Sequence, residues 1–471
     1  MKKEVLRIEN ATLVKDGIVY LDNFSVHISE GEIMGMIWKN HHGIDEMIHL
    51  ICDNSLLKYG RLYLKERLVN TYLKEVKRNN KVFVIDKKSR LIKDLSVADN
   101  IFVLRKGFKK YLINQRRLAI QVKSVLEDLD FQIDPGLLVA ELSQFERCVV
   151  ELVKAVLMGT NLIIIKEISE VLSRVELARF YDLIRHYALK GIAFMYIANH
   201  HEEAFQICDK MALLEDGKVI KTLFNDELDD QHIQPFVKQI TKPLRTTLKE
   251  EKVILKFKDV ETTNLRQFSM EASRLECLAL LDCDNTALSD IVSLTVGKAL
   301  PQSGEVLLEG KSIHITNKRF HEDAVIIAEN PIKTMIFPEM TYMENLCFLI
   351  DRKIGRSVLK RNYYKSVIKE YEHELGDEIK SRQLEQLSPQ SLYNIIYYRV
   401  LLYHPKLVFI WQPFSGADMY LRSHIAKLIK RLKDEEISVI LLTSQMTDIL
   451  AVSDRLLIIK GGELETKQIL E

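Results

Sequence analysis

The sequence predicts an α/β fold written twice along one chain. Short, wholly apolar runs of strand length alternate with longer amphipathic stretches, the pattern of parallel strands covered on both faces by helices. The order of these runs in the first half recurs in the second. Each half also sets a loop between an apolar run and a helical pattern, where a phosphate-binding loop would stand.

The elements follow in order. Leu21-Asp22-Asn23-Phe24-Ser25-Val26-His27-Ile28 alternates like a strand and leads through Gly31-Glu32 into the run Ile33-Met34-Gly35-Met36-Ile37. Its counterparts are Leu265-Arg266-Gln267-Phe268-Ser269-Met270-Glu271 and Cys277-Leu278-Ala279-Leu280-Leu281. Two further apolar pairs come later: Leu162–Ile165 with Leu407–Ile410, then Ile192–Ile197 with Val439–Leu442. The halves close alike, in Leu213–Val219 and Ile458–Leu464, which read as final hairpins around Gly217 and Gly461-Gly462. The polar stretch 224–251 is the expected linker, which divides the chain into domains 1–223 and 252–471.

Composition narrows the class. A hydrophobic share of 47% and a charged share of 28% suit a globular protein, and a net charge of +1 speaks against a nucleic-acid partner. The 18 glycines in 471 residues are about 4%, against a usual ~7%, so few loops rely on glycine's backbone freedom. Six scattered cysteines without C-x-x-C spacing point to free thiols in a reducing cytoplasm. The N-terminus lacks the apolar core of a signal peptide, and no apolar run reaches the roughly 20 residues needed to span a bilayer. Any place at a membrane would therefore come from another subunit.

The two loops have lost phosphate chemistry. The first is Trp38-Lys39-Asn40-His41-His42-Gly43-Ile44-Asp45-Glu46, the second Asp282-Cys283-Asp284-Asn285-Thr286-Ala287-Leu288-Ser289-Asp290. The pattern G-x-x-x-x-G-K-[ST] needs glycines for close backbone approach, a lysine for charge and a hydroxyl for Mg²⁺. The lysine position reads Ile44 and Leu288. Trp38 and His41 replace glycines, and Gly43 remains. A side chain at a left-handed position costs roughly 1–2 kcal/mol, so a reshaped loop is expected. Asp45 and Glu46 stand where the hydroxyls would be, and are expected to cap the following helix and repel phosphate. Asp282, Asp284 and Asp290 are expected to do the same in the second loop.

Leu95-Ser96-Val97-Ala98-Asp99-Asn100-Ile101-Phe102, Leu142-Ser143, Glu202-Glu203 and Cys208-Asp209 then carry a resemblance, with Leu387-Ser388, Pro413, Gly416 and Asp418 in the second half. Over nearly its whole length the chain resembles the tandem ATP-binding subunit of bacterial sugar importers, the ribose/galactose/xylose class of ATP-binding cassette transporters. That resemblance implies two tandem P-loop NTPase-like ATP-binding cassette domains, each with a helical subdomain. It also implies ATP and Mg²⁺ as cofactors, permease-like membrane subunits or another cassette subunit as partners, and a cytoplasmic place at the inner face of the cell membrane.

Against that family the departures are systematic. Lys166 stands where the Mg²⁺-associated aspartate belongs, and Glu167 matches the general base; Trp411-Gln412 replaces the same pair in the second half. Phe145 and Gln390 replace the signature glycines, Lys87 the glutamine of its loop, and Asn199 and Ser444 the switch histidine. Glu329 alone stays from the corresponding acidic turn, and Val14 and Lys15 stand near the adenine-stacking aromatic. Both composite sites of such a pair are thus damaged. Glu167 is read either as a working base or as a remnant paired with Lys166, and Lys39, Gly43 and Lys166 are the candidates for contact with a nucleotide.

The histidine pairs His41-His42 and His200-His201, with Asp45, Glu46 or Glu167, have donor types that suit zinc; surface or capping roles are the simpler reading, and no metal is assigned. Lys106-Gly107-Phe108-Lys109-Lys110 and Arg116-Arg117 make a solvated basic face or a contact for an anionic surface. Tyr393, Tyr397 and Tyr398 read as core. Three functions follow. The first is a cassette-type subunit of a sugar transport system with lost or strongly reduced ATP binding and hydrolysis, serving as scaffold, coupling or regulatory partner. The second is an active ATPase using Lys39, Lys166 and Glu167, and the third a signalling module for another anionic ligand.

Overall fold

The computed structural model describes residues 2–73, 79–102, 115–129, 131–236, 252–313, 323–350, 360–446 and 448–465. The basic cluster Lys106–Lys110 lies outside them. The chain divides into two compact units, Met1–Val237 and Lys238–Glu471. Of the stretch 224–251, the part up to residue 236 is described: it forms short helical segments, and Ile233 is buried in the first unit's core.

In the first unit the strands are β1 (Glu4–Lys15), β2 (Ile18–Ser29), β3 (Ile33–Trp38), β4 (Tyr59–Leu64), β5 (Arg67–Thr71), β6 (Val82–Asp86), β7 (Leu162–Lys166), β8 (Ala193–Ala198), β9 (Lys210–Glu215) and β10 (Lys218–Phe224). They form a sheet of order β10-β9-β3-β8-β7-β6 and an antiparallel sheet of order β2-β1-β4-β5. The first is parallel except for the final hairpin. The second unit repeats both strand for strand. β11 (Val253–Glu261), β12 (Phe268–Ser273), β14 (Ser303–Leu308) and β15 (Lys311–Ser312) make an antiparallel sheet of order β12-β11-β14-β15. β13 (Cys277–Asp282), β16 (Ala324–Ile327), β17 (Leu407–Trp411), β18 (Ser438–Thr443), β19 (Arg455–Lys460) and β20 (Glu463–Glu465) make the mixed one, of order β16-β17-β18-β13-β19-β20.

Alternation of side chains explains why the apolar runs have no polar face. Along β3 and β7, Ile33, Ile37, Ile163 and Ile165 enter one core, while Met34, Met36, Leu162 and Ile164 enter another. The second unit splits Ala279, Leu281, Val408 and Ile410 from Leu278, Leu280, Leu407 and Phe409 in the same way. In the first unit α1 (Ile44–Asp53) and the antiparallel sheet cover one face. Residues of α2 (Val97–Phe102), α3 (Gln115–Glu127), α4 (Gln144–Leu157), α5 (Arg174–Leu189) and α6 (His201–Ile207) cover the other.

Helix α4 also positions a loop. Ser143 caps it, accepting from the Glu146 N–H while the Glu146 carboxylate accepts from the Ser143 N–H. Seven residues apart on one face, Gln144 and Glu151 grip the segment after β6. Gln144 donates to the Lys87 carbonyl at 2.9 Å; Glu151 accepts from the Arg90 N–H at 2.7 Å and the Ser89 hydroxyl at 3.1 Å. Burial pushes the Glu151 carboxyl up to about 7, against the pull of those donors and of Lys154.

Two outcomes follow from this packing. Ile164 is fully buried, so Ile164→Ala is expected to cost about 2–5 kcal/mol in denaturant unfolding. The folded Glu151 carboxyl, at about 7, holds a proton that the unfolded chain has released from about pH 4.3 upward. Stability therefore falls as pH rises through that window, by up to about 1.4 kcal/mol per pH unit, and Glu151→Gln is expected to flatten that slope in unfolding curves taken from pH 4.5 to 7.5.

Candidate functional site

The first loop leaves β3 at the C-terminal edge of the sheet. Its conformation depends on Gly43, the N-cap of α1, at φ 86°; a Cβ there would lie 2.3 Å from the Tyr20 carbonyl oxygen. Glycine is therefore required at this position by backbone geometry alone. The rest of the loop is tied down by its own side chains. Lys39 Nζ stands 2.9 Å from Glu215 Oε1, and Asn40 donates to Asp216 at 2.7 Å. The His42 ring stacks on Tyr20 at 5.2 Å between centroids, with its Nε2 2.7 Å from the Val19 carbonyl.

The expectation that Asp45 and Glu46 cap α1 is corrected here. The N-cap is Gly43, which has no side chain to turn back, and α1 makes no side-chain cap hydrogen bond. Asp45 instead accepts from Lys166 Nζ at 2.6 Å, joining the start of α1 to the end of β7. For this carboxylate in the first turn of the helix, the ammonium at contact distance is a stronger partner than a backbone N–H.

The pairing of Glu167 with Lys166 is corrected as well. β7 ends at Lys166, and Glu167 follows in the left-handed region at φ 53°, its N–H donating to the Ile197 carbonyl at 3.0 Å. Successive residues thereby point apart. The Glu167 side chain, 7% exposed, meets Lys87 Nζ at 2.7 Å, and the same ammonium stands 2.7 Å from Glu170. Burial pulls the Lys87 pKa down, but Glu170 and Glu167 outweigh it and hold the group above the usual lysine value. Asn199 completes the cluster, donating to Glu170 at 2.7 Å while its carbonyl lies 3.1 Å from His41 Nε2. His41 Nε2 is itself 4.0 Å from Glu167. Ion pairs join the ends of β6 and β7, and hydrogen bonds through Asn199 carry the link on to the ends of β8 and β3.

In the second unit the loop after β13 is filled differently. The Asp282 carboxylate, 1% exposed, accepts from the N–H groups of Ala287 at 2.7 Å, Asp284 at 3.1 Å and Leu288 at 3.3 Å. Ala287 and Leu288 are the N-cap and first residue of the helix Leu288–Thr295, so here the predicted capping by a loop aspartate is present. Burial raises the Asp282 pKa, and the three N–H donors pull against it. Asp284 accepts from the Gly461 N–H at 2.6 Å, and Asp290 from the Thr262 hydroxyl at 2.6 Å. Gln412 repeats the backbone geometry of Glu167, with φ 49° and its N–H on the Leu442 carbonyl at 2.7 Å, and its amide donates to Ser444 at 2.9 Å.

Phe145 is buried and packs at 5.7 Å from Phe131, under the Arg179 guanidinium. Tyr393, Tyr397 and Tyr398 are buried in the core. His200 is buried, and His201 meets Phe205 edge-on at 5.3 Å. Among the described residues no three His, Cys, Asp or Glu side chains gather in a way that could hold a metal. Sequence reasoning missed the Tyr20–His42 stack and the reach of Lys87 to Glu167, because nothing local reveals contacts between positions so far apart. A lysine in place of an uncharged loop residue was the only trace of the second.

Comparison with known proteins places these features. No family model matches the chain. It is 24% identical to a putative ribose/galactose/methyl galactoside import ATP-binding protein of Hahella chejuensis, over 98% of this chain and 92% of that one. It is 23% identical to the ribose import ATP-binding protein of Caldanaerobacter subterraneus, covering 98% and 95%. With the galactose/methyl galactoside import ATP-binding protein of Fusobacterium nucleatum the figures are 23%, 98% and 95%. Among solved structures, an archaeal ribosome recycling factor in complex with a ribosomal stalk protein superimposes with a TM-score of 0.63 at 15% identity, over 97% of this chain and 89% of that one. A structure of RNase-L inhibitor gives 0.62 at 15% identity, over 98% and 90%. Over 98% of its length the chain is homologous to ribose and galactose import ATP-binding proteins, and it has the fold of two tandem α/β cassettes of the P-loop NTPase type.

Proposed function

We propose that this chain is a cassette-type subunit of a sugar transport system in which ATP binding and hydrolysis are lost or strongly reduced. It serves as a scaffold, coupling or regulatory partner to permease-like membrane subunits or to another cassette subunit, at the inner face of the cell membrane. The import role rests on the relatives' described function. No helix among the described residues is long and apolar enough to cross a membrane, so membrane subunits are separate chains in this reading.

One observation carries the loss of nucleotide chemistry: the charged side chains nearest the expected phosphate and metal positions are already committed within the chain. Lys39 is with Glu215, Lys166 with Asp45, and Glu167 with Lys87. Phosphoryl transfer needs a metal ion held by carboxylate and hydroxyl, and a lysine on the phosphates. The residues present do not fit Mg²⁺–ATP. A lysine stands where the metal-associated carboxylate belongs, Ile44 and Leu288 stand where the phosphate-binding lysine belongs, and the Asp282 carboxylate already takes the N–H groups of the second loop. Glu167, held against an ammonium, is a structural anion in this reading and not a base.

The test is a titration of ATP, with and without Mg²⁺, into the purified protein, followed by its melting temperature. A ligand at 100 times its Kd adds about 2.7 kcal/mol, a readily measured shift. The expected result is no shift up to millimolar ATP; a Mg²⁺-dependent shift would overturn the reading and favour the active ATPase. Lys87→Met gives a second outcome. It leaves two buried carboxylates without their shared ammonium, and is expected to destabilise the first unit by about 1–3 kcal/mol in chemical unfolding, discounted for the partial exposure of Lys87.

A further inference from the structure

The two units close their loops by different means, and the difference points to a device in the second. β3 and β13 are both six residues long, and their last residues, Trp38 and Asp282, occupy matching positions. Trp38 pairs with Leu214 of β9 and Asp282 with Ile459 of β19, and the next N–H in each case donates to that partner's carbonyl, at 2.8 and 3.0 Å. From this shared frame the tryptophan joins an apolar core. The aspartate turns into the loop, and three backbone N–H groups converge on it. In the first unit no side chain takes that place at the start of α1.

We propose that Asp282 is a built-in anion that fills the second unit's phosphate-type loop and holds it in its closed, ordered shape without any ligand. The inference rests on the reading of a cassette that no longer takes nucleotide, and names how one of its two loops is shut. A carboxylate presents two acceptor oxygens to the N–H groups that would otherwise surround a phosphate oxygen, and it does so at the positive end of a helix. Buried donors of this kind must be satisfied, so an internal acceptor removes the need for an external one. Asp284, bonded to the Gly461 N–H, and Asp290, bonded to Thr262 and to the Asn264 N–H, anchor the loop and helix on either side, so the carboxylate sits in a fixed frame. Inorganic phosphate or a nucleotide phosphate would have to displace a covalently tethered anion at very high effective concentration.

The experiment uses the full chain and two variants, Asp282→Asn and Asp282→Gly. Thermal unfolding is followed in sodium chloride, sodium formate and sodium phosphate at equal ionic strength. Asp282→Asn keeps the shape but turns one acceptor into an N–H₂ donor facing N–H groups. It is expected to melt a few degrees below the parent in chloride. Asp282→Gly is expected to melt lower too, and to regain part of the loss in formate or phosphate, beyond any change those salts produce in the parent. An Asp282→Asn variant as stable as the parent overturns the proposal by itself, so the test stands even if the glycine variant does not fold. A folded Asp282→Gly variant that gains nothing over chloride also overturns it. ATP plays no part in these measurements. A parent chain that bound ATP through its first unit would overturn the proposed function and leave this inference intact.

Discussion

A sheet buried on both faces leaves its strands one place for polar chemistry, the loops at their ends. Every side chain along β3, β7 and β8 up to that edge goes into one of two apolar cores, apart from Lys166 at the very end of β7. The buried groups at the C-terminal edge, Glu167 and Asn199 among them, must then be satisfied by their neighbours, because an unpaired buried charge costs several kcal/mol. In a cassette that takes nucleotide, phosphate and metal would be part of that balance. At this edge of the first unit, protein side chains of both signs meet one another.

Lys87 shows how this balance is struck. It stands between Glu167 and Glu170, and its loop is held by two residues of α4, so that helix packing determines where the ammonium can sit. Lys166 and Asp45 form a second pair a residue away, pointing in another direction because Glu167 adopts the left-handed conformation. The left-handed residue recurs as Gln412 in the second unit, where the side chain is neutral and its partner is Ser444. One backbone geometry thus carries two chemistries. The geometry belongs to the strand-to-turn frame, and the chemistry to whichever side chain stands on it.

Each loop is held by contacts from within the chain. The first uses contacts between side chains, Lys39 with Glu215, Asn40 with Asp216 and His42 on Tyr20, and keeps one glycine where the Tyr20 carbonyl leaves no room for a Cβ. The second uses a single carboxylate on three backbone N–H groups. Only the second satisfies donors left open at a helix start; α1 begins without a side-chain cap.

The sequence by itself determined the repeat, the α/β class, the succession along the chain of the most apolar strands and the position of both loops. These depend on local periodicity and on the length of apolar runs, which hold whatever the partners. It also places Ile44, Leu288 and Lys166 where the family resemblance leads one to expect a lysine or an aspartate. Tertiary structure alone decided who pairs with whom. Glu167 sits beside Lys166 in the chain yet bonds Lys87, eighty residues back, because a left-handed turn sends neighbours apart and a parallel sheet brings distant strand ends together. The same holds for capping. Asp45 and Asp282 are both acidic residues of the two loops, but the Asp282 carboxylate accepts from the N–H groups of a helix start while that of Asp45 accepts from Lys166.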